Sequence, residues 1–227
     1  MKKLNQILRE GVYDPGIFKA FFLAGGPGSG KTFVTRSAFS GTGLKLVNSD
    51  AAFERGLKKA NLSLKMPDEE EYFRNIVRAK AKMTTATQLD TYVQGRLGLV
   101  IDGTGRDYDK ISYQTRMLKE LGYDTYMIFV NTSLEVALER NAQRERSVPE
   151  YITTKSWKEV QSNIGKFQNL FGLSNMVIVD NNKSDQELVT TVMNKVGKAV
   201  RGLLTQPIKS YTAKRWMASE RKAKRRD

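Results

Sequence analysis

Residues Gly25-Gly26-Pro27-Gly28-Ser29-Gly30-Lys31-Thr32 follow the spacing G-x-x-x-x-G-K-S/T. The apolar run 17–24 before them reads as a buried strand, and residues 32–39 after them suit a helix. In that context the segment predicts a loop that cradles nucleotide phosphates. Glycines let the chain bend until successive N–H groups converge on one anion. The N-terminus of the following helix adds a partial positive charge. Lys31 has the reach to meet the outer phosphates, and the Thr32 hydroxyl suits a Mg²⁺ ligand. A glycine-rich surface turn is the plainer alternative. The strand before the loop and the Lys-Thr pair after it argue for the nucleotide, with ATP the default.

Three further groups could join that chemistry. Asp50 closes Asn48-Ser49-Asp50 after a short apolar run. It is the candidate general base for transfer to a hydroxyl, or else a cap for the helix behind it. Asp102 closes Leu99-Val100-Ile101-Asp102 and can hold Mg²⁺ through water, or cap the turn at Gly103. Arg140, Arg144 and Arg146 recur before Val148-Pro149. On a mobile lid such arginines neutralise charge that spreads onto a transferred phosphoryl group; otherwise they form a solvated face paired with Glu139 and Glu145.

The elements that would position these residues alternate. Strands are expected at 17–24, 44–47, 97–102, 123–130 and 175–180, and helical patterns lie between them. An amphipathic helix covers 1–10, the span 51–95 is mostly helical, and Asp68-Glu69-Glu70-Glu71 starts its second helix. A helix from 134 runs on to Arg146, one more covers 151–171, interrupted or weakened at Gly165, and a last one covers 185–204. Arg74, Arg78, Lys80 and Lys82 are expected to face mostly water. The pattern predicts an α/β domain with a five-stranded parallel sheet, at 17–205, behind an extension at 1–16 and before a basic tail at 206–227. Ligands of such sheets bind beyond the carboxyl ends of the strands, where the loop, Asp50 and Asp102 all fall. Asp50 is expected beside the loop on a neighbouring strand.

Lys and Arg number 38 against 24 Asp and Glu, a net charge of +14, which favours anionic partners. With neither cysteine nor histidine, the usual zinc sites, disulfides and a histidine base are excluded, so a base must be a carboxylate or a lysine. No uninterrupted apolar core marks a signal peptide at the start, and no segment approaches the ~18 residues of a membrane span. The expectation is a soluble, cytoplasmic protein.

From residue 18 to 182 the chain resembles P-loop kinases of the polynucleotide-kinase and zeta-toxin group, in particular the kinase domain of the phage enzymes. The phosphate loop, Asn48-Ser49-Asp50, Asp102-Gly103-Thr104, Arg140-Asn141-x-x-Arg144 and Val148-Pro149 carry the resemblance. It implies a three-layer P-loop fold with a helical lid, ATP and Mg²⁺ as cofactors, Asp50 as base, Arg140 and Arg144 as lid arginines, and Asn181 near the adenine. A phage-encoded member would work in the host cytoplasm. Where polynucleotide kinases carry an arginine soon after the catalytic aspartate, this chain has Ala51-Ala52-Phe53 and its first arginine is Arg55.

The expected reaction is transfer of a γ-phosphate to a hydroxyl of nucleic acid, most readily DNA, at a 5′ end or on a hydroxymethylated base. The segment from Lys209, with eight basic and two acidic residues and with Tyr211 and Trp216 interleaved, would add affinity for phosphate backbones. The alternatives are a small anionic acceptor, such as the UDP-sugar of zeta toxins, or an ATPase switch with no acceptor.

Overall fold

The computed structural model describes residues 11–144, 146–182 and 186–224; the expected helix at 1–10 lies outside them. Five parallel strands, β1 (Lys19–Ala24), β2 (Lys45–Val47), β3 (Leu99–Asp102), β4 (Asp124–Asn131) and β5 (Met176–Asp180), form one sheet in the order β2-β3-β1-β4-β5. The helices are α1 (Lys31–Ala38), α2 (Asp50–Lys59), α3 (Glu71–Gln94), α4 (Tyr108–Glu120), α5 (Leu134–Ala142), α6 (Glu150–Ser162), α7 (Ile164–Phe171), α8 (Gln186–Thr205) and α9 (Tyr211–Ala223). This is the α/β parallel sheet that the alternation implied, in the three-layer form that the resemblance implied.

β1 lies third in the order and is buried along its whole length. Its alternation divides the core. Ala20, Phe22 and Ala24 pack on one face with Ile111, Val160, Phe167 and Phe171 from α4, α6 and α7. Phe21 and Leu23 pack on the other face with Val34 of α1 and Met193, Val196 and Val200 of α8. Each fully buried phenylalanine stabilises the sheet by roughly 1.5–3 kcal/mol. A smaller cluster, Phe53, Leu57, Met66 and Ala81, joins α2 to α3 at the margin.

Four expectations are corrected. β2 does not adjoin β1, because β3 lies between them. Arg74 is buried, with its guanidinium donating to the Pro67 carbonyl (2.6 Å), and Arg78 stacks over Phe53, so neither faces open water. α5 stops at Ala142 because the Asn141 side chain closes a loop on Val148, donating to its carbonyl (2.6 Å) and accepting from its N–H (3.0 Å). The 151–171 helix is interrupted at Asn163 rather than at Gly165, and the Asn163 amide donates to the carbonyls of Gly105 and Arg106 (3.1 and 2.9 Å).

The C-terminal segment is docked rather than trailing. Ser210 caps α9, Ala213 is fully buried and Trp216 packs edge-on against Phe18. These contacts sit at the amino ends of β1 and β4, the opposite edge from the phosphate loop. No helix among the described residues is long and apolar enough to cross a membrane.

Candidate active site

Parallel pairing brings the carboxyl ends of the strands to one edge. Leu23 pairs with Asp102, Val47 with Ile101, Ala24 with Phe129 and Asn131 with Asp180. The β1–β3 pairing continues past the strands, with the Gly25 N–H donating to the Thr104 carbonyl (2.9 Å). The loop between β1 and α1 therefore starts from a fixed platform.

Two glycines of that loop are required by contact as well as by conformation. Gly28 has φ +79° and lies so close to α5 that a Cβ there would be 2.0 Å from the Ala137 carbonyl oxygen. Gly30 has φ +90°, and a Cβ there would be 2.3 Å from Asn181 Nδ2. Asn181 instead uses its side chain to donate to the Ser29 carbonyl (2.7 Å), while its own N–H donates to Asn131 (2.9 Å). Trp157 of α6 backs Gly26 and donates its indole N–H to Thr132 (2.7 Å).

Lys31 opens α1 and folds back over the loop, donating to the carbonyls of Gly25 and Gly26. Burial lowers its pKa; Asp102 and then Asp50 raise it, and Arg144 lowers it again. Four of the sequence-predicted residues thus share one electrostatic neighbourhood. Asp102 responds in the opposite sense. Burial raises its pKa, Lys31 lowers it, Asp50 raises it, and the hydrogen bond from Asn48 lowers it.

Asn48 holds the two carboxylates in relation. Its amide donates to Asp102 Oδ2 (2.7 Å) and its Oδ1 accepts from the backbone N–H of Asp50 (2.7 Å). This bond crosses from the end of β2 to the end of β3 and compensates for the strand between β2 and β1. Ser49 is the N-cap residue, and Asp50 is the first residue of α2 with an exposed carboxylate, so capping is not its role. That carboxylate lies 3.3 Å from Arg146 Nη2.

The arginines diverge. Arg140 donates to the Asn181 carbonyl (2.8 Å), beneath the loop. Arg144 lies toward Asp50 and Lys31; burial and Arg146 lower its pKa and Asp50 raises it, and its carbonyl accepts from Lys65 (3.1 Å). A cleft of about 450 Å³ adjoins Arg106 between the β3–α4 loop and α6, with Tyr151, Lys155 and Glu159 on its far wall.

Two features fit a bound Mg-nucleotide. Ser29 Oγ is buried inside the loop without a hydrogen-bond partner, and Lys31 is desolvated with its hydrogen bonds going to loop carbonyls, so both gain from a phosphate. Among the described residues no group of three or more acidic, Cys or His side chains can hold a metal by itself. Thr32 and Asp102 would hold Mg²⁺ together with phosphate oxygens, as that ion prefers.

By sequence alone Asn48, Asn141 and Arg78 have no role of their own in the site, although Asn48 and Asn141 fall within the motifs that carry the resemblance, and Arg146 is one of the three expected lid arginines. Arg146 carried a signal as the third arginine of its cluster. The other three act through tertiary contacts that spacing does not encode.

Fold and loop together define a P-loop domain of the kinase-like type. A family model described as "AAA domain" matches residues 21–166, and the chain belongs to that family. No curated protein sequence matches. Solved structures share the fold at low identity. A shikimate kinase from Bacteroides thetaiotaomicron is 14% identical, covering 81% of this chain and 98% of its own, with a TM-score of 0.51. A structure of the PezAT toxin–antitoxin system of Streptococcus pneumoniae is 17% identical over 89% and 92%, with a TM-score of 0.53. AvrRxo1-ORF1:-ORF2 with ATP is 14% identical over 88% and 79%, also at 0.53.

Proposed function

We propose that the protein is an ATP-dependent kinase that phosphorylates an alcohol group of a small anionic metabolite. The observation that carries this is the placement of Asp50, an exposed carboxylate within the electrostatic reach of Lys31 and tied through Asn48 to Asp102. A carboxylate there can orient an acceptor hydroxyl and take its proton. The acceptor oxygen attacks the γ-phosphorus as the bond to ADP breaks, and its proton passes to Asp50. Lys31 and Arg144 balance charge on the moving phosphoryl group, Arg140 and Asn181 support the loop from below, and a Mg²⁺ held by Thr32 and Asp102 would supply further neutralising charge.

Two observations favour a small acceptor over the nucleic acid expected from charge. A shikimate kinase is among the proteins that share the fold. The basic segment docks at the amino ends of the strands, where it does not border the loop. The test is transfer of labelled γ-phosphate to a panel of UDP-sugars, sugar phosphates, hydroxy acids, nucleoside monophosphates, 5′-hydroxyl oligonucleotides and hydroxymethylated duplex DNA. A labelled small molecule is expected. Label on polynucleotide alone would restore the nucleic-acid reading, and ATP hydrolysis with no labelled acceptor would overturn the kinase.

A further inference from the structure

Phe53 lies one helical turn after Asp50 and is 1% exposed, yet two guanidinium groups meet its ring. Arg78 Cζ is 4.2 Å from the ring centroid and Arg146 Cζ is 5.9 Å from it. A flat guanidinium stacked on an aromatic face keeps its in-plane N–H donors directed outward, pre-organised for a forked oxyanion. Asp50 is the carboxylate paired with Arg146 across 3.3 Å. Arg74, one turn earlier on α3, is already committed to the Pro67 carbonyl, and Arg78 turns one donor, Nη2, toward the Met66 sulfur (4.0 Å).

The charge around this platform is one-sided. Burial lowers the Arg78 pKa, Arg146 lowers it further, Asp50 raises it, and Arg74 and Arg106 lower it. Two guanidinium groups with one shared carboxylate leave a positive excess in a partly desolvated place, which a dianion would relieve. The nucleotide phosphates are already provided for by the loop, Lys31 and the loop amides.

We propose that Arg78 and Arg146, presented on the Phe53 ring, bind a phosphate group carried by the acceptor, and that this phosphate draws Arg146 from Asp50 and so frees the base. Without acceptor the Arg146–Asp50 pair occupies the carboxylate and keeps it from orienting an attacking oxygen. The role of Asp50 rests on the kinase reading above; the anion site does not.

The experiment is calorimetric titration of inorganic phosphate into the full-length protein saturated with Mg²⁺ and a non-hydrolysable ATP analogue, which fills the phosphate loop. One equivalent of phosphate is expected to bind. Arg78→Gln and Arg146→Gln should each weaken it by about tenfold or more, the scale of a charge-assisted forked contact, whereas Lys80→Gln on the exposed side of α3 should not. Arg146 lies in the loop after α5, so Arg146→Gln reports on the site even where Arg78→Gln disturbs the packing of α3. Absence of phosphate binding to the loaded protein, or unchanged binding in Arg146→Gln, overturns the proposal. The two readings fail separately. Phosphate binding lost in the variants with no labelled acceptor supports the anion site and removes the kinase. A labelled acceptor together with no phosphate binding to the loaded protein removes the anion site and keeps the kinase.

Discussion

The Asn48 side chain donates to Asp102 across 2.7 Å while its oxygen accepts from the N–H of Asp50, so one amide fixes the distance between the candidate metal ligand and the candidate base. An amide suits the position because it donates on one side and accepts on the other; a carboxylate or an aliphatic side chain of similar size can do only one of these or neither.

Asn48→Ala should therefore lower kcat by about 10²-fold, the cost of a small misplacement of reacting groups, with nucleotide affinity changed far less. Asp102 also loses a bond that holds its pKa down against burial, so its pKa rises further. The acid limb of the pH–rate profile should move to higher pH, and more Mg²⁺ should be needed for half-maximal rate. A variant with a normal Mg²⁺ requirement and rate would remove Asn48 from the machinery.

Asp50→Asn retains the size of the side chain and removes the proton acceptor. Phosphoryl transfer should fall by about 10²–10⁴-fold, the usual contribution of a positioned base, while equilibrium binding of the ATP analogue stays near the wild-type value. Transfer at an undiminished rate would make Asp50 a structural partner of Arg146 only.

Gly28→Ala tests the contact between the loop and α5. The added Cβ would lie 2.0 Å from the Ala137 carbonyl oxygen, and φ +79° disfavours any side chain. Either the loop or α5 must move, at a cost of about 1–3 kcal/mol, and both changes spoil the cradle. Lower stability in urea together with loss of analogue binding is expected. Unchanged affinity would mean that α5 withdraws freely.

How far the sequence disclosed this arrangement depended on the range of each interaction. The five strands were legible because apolar runs end at glycines and turn residues, and the phosphate loop because its whole signal lies within eight residues of chain. Sheet order was not, since nothing local to β2 says that β3 will sit between it and β1. The break at Asn163 and the end of α5 at Ala142 depend on side-chain bonds to distant or looped-back carbonyls, which periodicity does not record. Arg78 looked like a solvated helix residue because its partner, Phe53, belongs to another helix. The candidate phosphate, metal and base residues lie in local motifs, whereas the orienting contacts of Asn48 and Arg78 join elements that spacing alone does not connect.

Lys31 predicts a pH dependence whose sign follows from burial. Its folded pKa is lowered from the ordinary 10.5, so between the two values the unfolded chain holds the extra proton and stability rises with pH. Below the lowered pKa the full penalty is present. Lys31→Met should therefore melt above the wild type near neutral pH when no nucleotide is bound, and the gap should narrow as pH rises toward the unfolded value. Analogue affinity should fall by about 10- to 100-fold, corresponding to a hydrogen bond to a charged group. A melting difference that does not vary with pH would show that the Lys31 charge is not the cause.

At the other edge of the sheet, Lys19 is 1% exposed and donates to Asp124 (3.2 Å), to the Tyr126 hydroxyl (3.1 Å) and to the Gln206 carbonyl (2.8 Å). Asp124 in turn accepts from the Lys209 N–H, so the buried pair holds the chain that leads into α9. Asp124→Asn leaves the Lys19 ammonium buried without its counter-charge and should cost about 3–5 kcal/mol in urea unfolding. Lys19→Met combined with Asp124→Leu removes both charges and should recover most of that loss, because burying an ion pair is itself expensive. It does not restore the anchors of Gln206 and Lys209. Backbone amides of α9 should therefore exchange with solvent faster in the double variant, while those of β1 and β4 remain protected. An Asp124→Asn cost below about 1 kcal/mol, the range of an exposed pair, would mean that the pair is relieved by water; unchanged exchange in α9 would mean that Trp216 and Ala213 alone secure the helix.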